Sequence, residues 1–320
     1  MDTFLADLRA ARLDGPSAVA IGVFDGVHLG HRRVLGALRD DARERGLRSV
    51  AVTFANHPLT VLRPEARVVL LTQPAERVEL LRACGVDAVV PLTFTRELSE
   101  WSAERFVAAL AQEADMRHMV IGPDFALGRG REGDAEHLSM LGERYGYSLR
   151  VVEPLRSGER QASSSAVRQC LAAGDVAGAA AVLGRPFGFA APIVEGEGRG
   201  ASVLGYPTCN FGVSPAQAVP ADGVYAGAVE VDGRRWDAAV SVGAKPTFHE
   251  DGPRVVEAFL LGFEGDLYGR HARLEFAARL RGQERFESAD ALIAQIDRDV
   301  EAARRILAAP PAPAPEPEAV

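Results

Sequence analysis

Cysteine is scarce in this chain, and its scarcity excludes two classes of protein. The 320 residues include three cysteines, Cys84, Cys170 and Cys209, which lie far apart and form no Cys-x-x-Cys pair. Disulfide-rich secreted domains and zinc knuckles both depend on closely spaced cysteines. We therefore expect neither a disulfide framework nor a structural zinc site.

Long apolar runs and an excess of positive charge are also missing. No stretch approaches the roughly 20 apolar residues of a membrane-spanning helix. The N-terminal residues 1–4 lack the basic region and apolar core of a signal peptide. The formal net charge is −8, whereas nucleic-acid surfaces are usually basic. We expect a soluble cytoplasmic protein, a monomer or weak homo-oligomer, with no membrane or nucleic-acid partner.

The first half of the chain alternates between apolar strands and helical segments. Strands are predicted at 18–24, 49–54, 86–91, 118–122 and 149–152, and helices at 32–45, 74–84, 103–114, 134–145, 165–173 and 175–183. Continuous apolar strands between helices indicate a parallel sheet that is covered on both faces. The fold class is therefore α/β in this half.

The second half has a different sequence pattern, because Gly and Pro interrupt short runs in which apolar and polar residues alternate. Residues 223–243 predict a hairpin around Asp232-Gly233, and 254–263 and 273–280 predict further strands. These runs indicate a small closed antiparallel β-barrel. Ser288 then caps a terminal helix.

These changes in sequence pattern and composition divide the chain into three segments. We predict an α/β domain over 1–183 and a barrel domain with its terminal helix over 184–309. The Pro/Ala-rich segment 310–320 has the composition of a disordered tail.

The stretch GVFDGVHLGH, residues 22–31, follows the first strand and opens a helix. A Gly-rich turn at this place presents backbone N–H groups and a helix N-terminus, which together bind anions. His28 and His31 would add side-chain donors to charged phosphoryl oxygens. The alternative is a turn with two incidental histidines. Zinc competes poorly, because no third ligand stands at metal-site spacing.

A second candidate site lies in the barrel segment, where no P-loop pattern occurs. Thr208 and Asn210 alternate along an extended segment, so both face one side and offer oxygen ligands suited to Mg²⁺. Glu257 lies among apolar neighbours, where a buried carboxylate usually has a partner or a function. It could accept the proton of an attacking hydroxyl. The alternatives are an ion pair with Arg279 or Arg281, or a place at the barrel rim.

The motifs together resemble the prokaryotic bifunctional riboflavin kinase/FAD synthetases, from about Val19 to Leu307. In order they are GVFDGVHLGH, TFANHP, GPDFALGRGREGD, SSSAVR, LGYPTCN, PADGVYAG, SVGAKPTF, VVEAFLLGF and DLYG. The resemblance implies an N-terminal Rossmann-like nucleotidyltransferase of the HxGH type and a C-terminal riboflavin kinase barrel. It implies that riboflavin and ATP give FMN, and that FMN and ATP give FAD and pyrophosphate.

The resemblance also implies roles for individual residues, with His28, His31 and Glu257 as the catalytic ones. In the adenylyltransferase it implies ATP binding by Gly22, Phe24, Gly26, His28, His31, Ser164, Ser165 and Arg168, and flavin binding by Phe54, His57, Pro58 and Asp124. In the kinase it implies binding of ATP with Mg²⁺ by Gly205, Thr208 and Asn210, with Thr208 and Asn210 as the metal ligands. It further implies that Glu257 deprotonates the riboflavin 5′-hydroxyl and that Arg281 belongs to the segment that meets the isoalloxazine ring.

Among the departures from the family's pattern, which include Ser165 and Cys209 as minor ones, three positions bear on affinity. Leu127 stands where an aromatic residue is common, Ala201 lies in a segment that often carries a basic residue, and Lys245 replaces Asn or Arg. We expect these departures to change affinities for flavin or ATP. Two other functions stay open: a nucleotidyltransferase with a regulatory flavin-binding barrel, and a flavin-binding or storage protein without turnover.

Overall fold

The computed structural model describes residues 3–157, 160–195, 208–244 and 254–308. The chain forms two compact units that divide between Ser163 and Ser164. The predicted domain boundary, after residue 183, is 20 residues further along the chain than this division, and it stays a prediction. Gly205, Ala201, Lys245 and the predicted tail 310–320 lie outside the described residues.

The first unit consists of a sheet and the helices around it. Its helices are α1 (Thr3–Ala10), α2 (Leu29–Arg45), α3 (Pro58–Leu62), α4 (Pro74–Ala83), α5 (Arg96–Ser99), α6 (Ala103–Glu113), α7 (Ala135–Tyr145) and a 3-10 turn (Arg129–Arg131). Its strands are β1 (Ser17–Ile21), β2 (Arg48–Phe54), β3 (Ala88–Leu92), β4 (Met116–Ile121), β5 (Ser148–Val151), β6 (Arg156–Ser157) and β7 (Arg160–Gln161).

The sheet is parallel, as the alternation of strands and helices predicted, and its strand order is β3-β2-β1-β4-β5. All five residues of β1 are buried. Val19 and Ile21 pack into one core with Trp101. Ala18 and Ala20 pack into a second core on the opposite face. Successive strand residues point to opposite faces, so a sheet covered on both faces needs an unbroken apolar strand at its centre.

Two boundaries beside the histidine turn differ from the prediction. β1 ends at Ile21, whereas the apolar run predicted a strand to Phe24. The strand ends early because the backbone turns here, and Phe24 has a φ of 51°. Helix α2 begins at Leu29 and not at residue 32, which places His31 in its first turn.

The second unit contains a barrel with helices before and after it. Its helices are α8 (Ser164–Ala172), α9 (Val176–Leu183) and α10 (Ala289–Leu307). Its strands are β8 (Phe187–Val194), β9 (Cys209–Phe211), β10 (Gly223–Val231), β11 (Arg234–Ala244), β12 (Arg254–Leu260) and β13 (His271–Arg281).

The barrel closes in the order β10-β11-β12-β9-β8-β13, which confirms the predicted closed β-barrel. Asp232 and Gly233 both have positive φ, 52° and 74°, as the type I′ turn of a tight hairpin requires. Ser288 caps α10 as predicted, because its side chain accepts a hydrogen bond from Ala291 N–H. Across the described residues, no helix has the length and apolar character to cross a bilayer.

Candidate active sites

The turn between β1 and α2 has an unusual backbone. Phe24 and Val27 have φ angles of 51° and 41°, and Gly26 between them has 83°. Bulky and β-branched residues rarely adopt this left-handed region. Val27 N–H donates to the Phe24 carbonyl at 3.0 Å, which closes the turn. The turn thereby brings His28 to the start of α2.

His28 and His31 lie against each other at this helix start. His28 is the N-cap of α2, and its Nδ1 accepts a hydrogen bond from His31 N–H at 3.4 Å. Their rings stack with centroids 3.6 Å apart, and the Phe24 ring meets His31 edge-on at 5.1 Å. Since Nδ1 of His28 accepts, its ring proton is assigned to Nε2. The pair can therefore offer imidazole N–H donors beside a helix N-terminus.

Burial keeps the His31 ring neutral at ordinary pH. Burial is the main reason why the pKa of His31 lies well below 6.5, and the charges of His28 and Arg77 lower it further. The Nδ1 atom of His31 is shielded from solvent without a hydrogen-bond partner in the described part of the chain. A neutral imidazole carries one donor and one acceptor.

Two glycines of the motif are needed for close approach and not for an unusual φ. A Cβ on Gly30 would lie 2.9 Å from the Ala162 carbonyl oxygen and 3.1 Å from His28 Nδ1. A Cβ on Gly22 would lie 3.0 Å from the Phe24 ring. These glycines therefore let the first turn of α2 and the Phe24 ring pack beside the histidines.

The predicted flavin-side residues lie at the same edge of the sheet, where parallel strands end. Phe54 is the last residue of β2, and His57 caps the short helix α3, in which Pro58 is the first residue. Asp124 is exposed after the end of β4, and its backbone carbonyl accepts a hydrogen bond from Arg131 at 2.9 Å. Strand β1 lies between β2 and β4. Ligands of open α/β sheets bind at such an edge, beside a reversal of strand order.

Leu127 belongs to the core of the first unit. Its side chain is 8% exposed, and its backbone exchanges two hydrogen bonds with Gly133, at 3.1 and 2.9 Å. This packing leaves little of Leu127 to stack on a ligand. The expected effect of this departure on flavin affinity stays a prediction.

The predicted phosphate-binding serines begin the second unit. Ser164 and Ser165 are the first two residues of α8, and Arg168 follows one turn later. Ser165 is exposed, whereas Ser164 and Arg168 are half-buried. The hydroxyls therefore stand at a helix N-terminus, a place that suits phosphate groups.

The candidate kinase residues form a row across the outer face of the barrel. Glu257 on β12 is directly opposite Asn210 on β9 and Ser241 on β11. Directly opposite residues have Cβ atoms about 4.5–5.5 Å apart. Thr208 lies two residues before Asn210, just ahead of β9, and is half-buried like Asn210, while Cys209 between them is buried. That Thr208 and Asn210 share a face stays a prediction. Alternation along the strands thus brings a hydroxyl, an amide and a carboxylate together.

Glu257 is half-buried rather than enclosed. Its neighbours Val256 and Ala258 are fully buried and face the opposite side of β12. Arg279, one suggested ion-pair partner, donates instead to the carbonyls of Ala173 and Asp222, at 3.3 and 2.9 Å. A half-buried carboxylate at a strand face can reach a bound hydroxyl, as a general base must.

Cys209 is buried on the opposite face of β9 from Asn210. Burial raises the pKa of its thiol to about 11, and the negative charge of Glu257 adds to that rise. The thiol is therefore protonated at neutral pH. Cys209 acts as a small buried apolar residue behind the site.

A pocket of about 180 Å³ opens beside Thr208. Cys209, Leu260, Phe263 and Asp266 line it together with Thr208. Its lining is mainly apolar with a few polar groups. Thr208 is the residue that the pocket shares with the candidate kinase residues.

Arg281 is bound to the terminal helix. Its guanidinium donates to both carboxylate oxygens of Asp299, at 2.8 to 3.1 Å, and to the Gly282 carbonyl at 2.9 Å. Both side chains of this pair are largely buried. Phe286 lies 5.6 Å from the guanidinium carbon. The second ion-pair partner suggested for Glu257 thus joins β13 to α10.

The donor atoms of Thr208 and Asn210 fit a magnesium ion in kind. A hydroxyl and an amide oxygen are hard ligands, and Mg²⁺ is usually held by one or two protein groups together with phosphates and water. Within the ranges that the structure describes, no three His, Cys, Asp or Glu side chains are placed to hold a metal. The two oxygen donors suit a magnesium ion that is shared with a nucleotide.

Sequence reasoning missed three buried residues beside the histidine turn, namely Asp25, Thr72 and Arg77. Asp25 accepts hydrogen bonds from the backbone N–H groups of Leu71 and Thr72. Arg77, in α4, is fully buried and donates to the Val23 carbonyl. The sequence did carry a signal for Arg77. It lies four residues before the buried Leu81, so a charged residue occupies the apolar face of α4.

The chain matches known protein families over most of its length. The family model for FAD synthetase matches residues 11–166, and the model for riboflavin kinase matches residues 183–307. The chain is 38% identical over 296 residues to a bifunctional riboflavin kinase/FMN adenylyltransferase of Pseudomonas fluorescens, covering 91% of this chain and 93% of that relative. A relative of the same name from Escherichia coli strain K12 is 35% identical, over 89% of this chain and 91% of its own.

A solved structure has a similar fold along almost the whole chain. It is described as a macrolide-efflux protein from Streptococcus pneumoniae and has a TM-score of 0.85 at 30% identity. The match covers 93% of this chain and 96% of that one.

Proposed function

We infer the reaction of each half from the premise that this chain belongs to the bifunctional riboflavin kinase/FMN adenylyltransferase family. The enzyme phosphorylates riboflavin with ATP to give FMN and ADP. It then transfers the adenylyl group of a second ATP to FMN, which gives FAD and pyrophosphate. The observation that carries the inference is that both family models match one chain, one on each half.

The adenylyl transfer takes place at the histidine turn. A phosphate oxygen of FMN attacks the α-phosphorus of ATP, and the bond from that phosphorus to the pyrophosphate breaks. Negative charge then grows on the phosphoryl oxygens, where fixed N–H donors are most effective. The stacked His28 and His31 at the N-terminus of α2 supply such donors. Gly22, Phe24 and Gly26 shape the turn for the nucleotide.

The flavin and the leaving group are assigned to flanking segments. Phe54, His57, Pro58 and Asp124 would contact FMN, since they follow the ends of the strands on either side of β1. The hydroxyls of Ser164 and Ser165, with Arg168, would bind the leaving pyrophosphate. That assignment rests on the SSSAVR motif and on the place of both serines at a helix N-terminus.

Phosphorylation takes place at the row on the barrel. Glu257 would take the proton of the riboflavin 5′-hydroxyl as that oxygen attacks the γ-phosphorus of ATP and ADP departs. Asn210 directly opposite Glu257, and Thr208 on the same face, would hold ATP together with Mg²⁺. When bound, Mg²⁺ supplies positive charge to the phosphates. Gly205 and the segment around Arg281 complete the nucleotide and flavin sides.

The cell compartment and the partners follow from the same proposal. Riboflavin, FMN and ATP are the partners, and a net charge of −8 does not favour nucleic acid. An enzyme that consumes ATP in this way would work in the cytoplasm, as a monomer or a weak homo-oligomer.

One incubation tests the proposal. The full chain is mixed with riboflavin, ATP and Mg²⁺, and the flavins are separated by chromatography. We expect FMN to form first and FAD to follow. If no FMN forms, but FMN supplied in a parallel incubation is converted to FAD, the nucleotidyltransferase with a regulatory barrel is favoured. Unchanged bound flavin in both incubations would favour the storage protein.

A further inference from the structure

We propose that Asp25, Thr72 and Arg77 form a turn clamp that positions His28 and His31 for adenylyl transfer. The turn clamp consists of these three buried residues and touches no atom that reacts. The proposal rests on the adenylyltransferase activity of the histidine turn and adds positioning residues to it.

The first part of the clamp ties the turn to a distant segment. Asp25 is 2% exposed, and its carboxylate accepts Leu71 N–H at 3.0 Å and Thr72 N–H at 3.0 Å. The Thr72 hydroxyl donates to Asp25 at 3.2 Å and accepts Gly26 N–H at 3.0 Å. One hydroxyl thereby bridges a side chain and the next backbone amide, across 46 residues of chain.

The second part ties the turn to the neighbouring strand. The buried Arg77 guanidinium donates to the Val23 carbonyl at 3.0 Å and to the Phe54 carbonyl at 2.9 Å. Thr53 Oγ1 also donates to the Val23 carbonyl, at 3.1 Å. A buried cation is costly unless hydrogen bonds and opposite charge compensate it, and the Asp25 charge supplies that attraction.

The clamp binds the turn that contains the positive φ angles of Phe24 and Val27. The clamp binds Val23, Asp25 and Gly26. These residues stand directly beside Phe24 and Val27, whose φ angles are positive. Strained backbone of this kind persists only where the surroundings over-determine it. If the clamp is weakened, the turn relaxes and the Phe24 ring and His28 shift against His31. Such a shift harms the transition state more than it harms binding of the substrates.

Arg77 has a second effect on the same pair of histidines. The charges that act on His31 are those of Arg77 and His28, and both lower the pKa of His31, in addition to burial. Removal of the Arg77 charge therefore raises the pKa of His31. This effect can be measured in the absence of any substrate.

The first test compares two substitutions of Thr72. Thr72→Val keeps the shape but loses the hydroxyl, and we expect kcat for FAD formation to fall about 10²-fold, as for a misplaced catalytic group, with KM for FMN nearly unchanged. Thr72→Ser keeps the hydroxyl and should retain kcat within a factor of about three. Riboflavin phosphorylation by the same samples serves as the activity control. The emission of buried Trp101, in a Trp236→Phe background, reports the folding of the first unit.

The second test uses Arg77 and needs no turnover. NMR titration of the histidine ring protons should show a higher pKa of His31 in Arg77→Met than in Arg77→Lys, which keeps the charge. A normal kcat in folded Thr72→Val, or an unchanged His31 titration in Arg77→Met, would overturn the proposal. If Arg77→Met does not fold, the Thr72 pair decides alone. Absence of FAD formation by the unsubstituted chain would instead refute the proposed function, while the NMR result would still report on the clamp.

Discussion

The two candidate sites are built by different physical means. The histidine site depends on a turn with positive φ at Phe24 and Val27, held by buried polar groups that come from far along the chain. In the described part of the chain, the kinase site depends on strand register, which sets Glu257 opposite Asn210 and Ser241. The first site should therefore respond to remote buried substitutions, and the second mainly to changes of its own side chains.

Substitution of the proposed base should have the largest effect and should affect only the barrel half. In Glu257→Gln we expect FMN formation to fall about 10²–10⁴-fold, because the amide cannot accept the hydroxyl proton. Added FMN should still be converted to FAD. Chromatography of both reactions measures the two activities, and near-normal kinase turnover would remove Glu257 as the base.

Substitution in the histidine pair should give the opposite pattern. In His28→Ala we expect FAD formation from FMN to fall about 10²–10³-fold, since a donor to the charged phosphoryl group is lost. FMN formation from riboflavin should be unchanged. Equal loss of both activities in a folded variant would break the contrast between the two sites.

A pair of glycines within α2 sharpens the comparison. A Cβ at Gly30 would press on the Ala162 carbonyl oxygen and on His28, whereas a Cβ at Gly36 would meet open space. We expect Gly30→Ala to lower FAD formation by about tenfold or more through displacement of His28. Gly36→Ala should be neutral or slightly stabilising, by up to about 1 kcal/mol. Similar rates in the two variants would argue against tight packing at the histidine turn.

The smallest effect concerns the pH dependence of stability in the first unit. Buried His118 lies 2.8 Å from Asp41 and 2.7 Å from Ser148 Oγ. Burial lowers the pKa of His118 below its ordinary 6.5, although the hydrogen bond that its ring Nε2–H donates to the Asp41 carboxylate raises it. The unfolded chain thus takes up this proton more readily, so the free energy of unfolding falls as the pH drops below 6.5.

Denaturant unfolding at several pH values measures this slope, with Trp101 emission as the probe in a Trp236→Phe background. His118→Gln should reduce the slope between about pH 6.5 and 5, where an ordinary histidine titrates. An unchanged slope would show that His118 does not contribute. The kinase site contains no histidine among its assigned residues, so its activity should not follow this slope.

Much of the fold could be predicted, because it is encoded in local patterns. The apolar run before the histidine turn indicated a strand of a parallel sheet, and Asp232-Gly233 indicated a tight hairpin. Ser288 was recognisable as a helix cap. In each case neighbouring residues determine the structure. Strand β8 and helix α1 were not predicted.

The candidate sites could be predicted only in part, for a related reason. Alternation predicted that Thr208 and Asn210 share a face, but the pairing of Asn210 with Glu257 depends on strand register between distant segments. The contact of Asp25 with Thr72 likewise joins residues 47 positions apart. Local patterns also missed the positive φ of Phe24, because the clamp that permits it comes from elsewhere in the chain.

A crystal structure of the enzyme with Mg²⁺ and a non-hydrolysable ATP analogue tests the central claim most directly. We predict two bound nucleotides in each chain, one with its phosphates beside His28 and His31 and one beside Thr208 and Asn210. A single occupied site, or no nucleotide near the two histidines, would contradict the account.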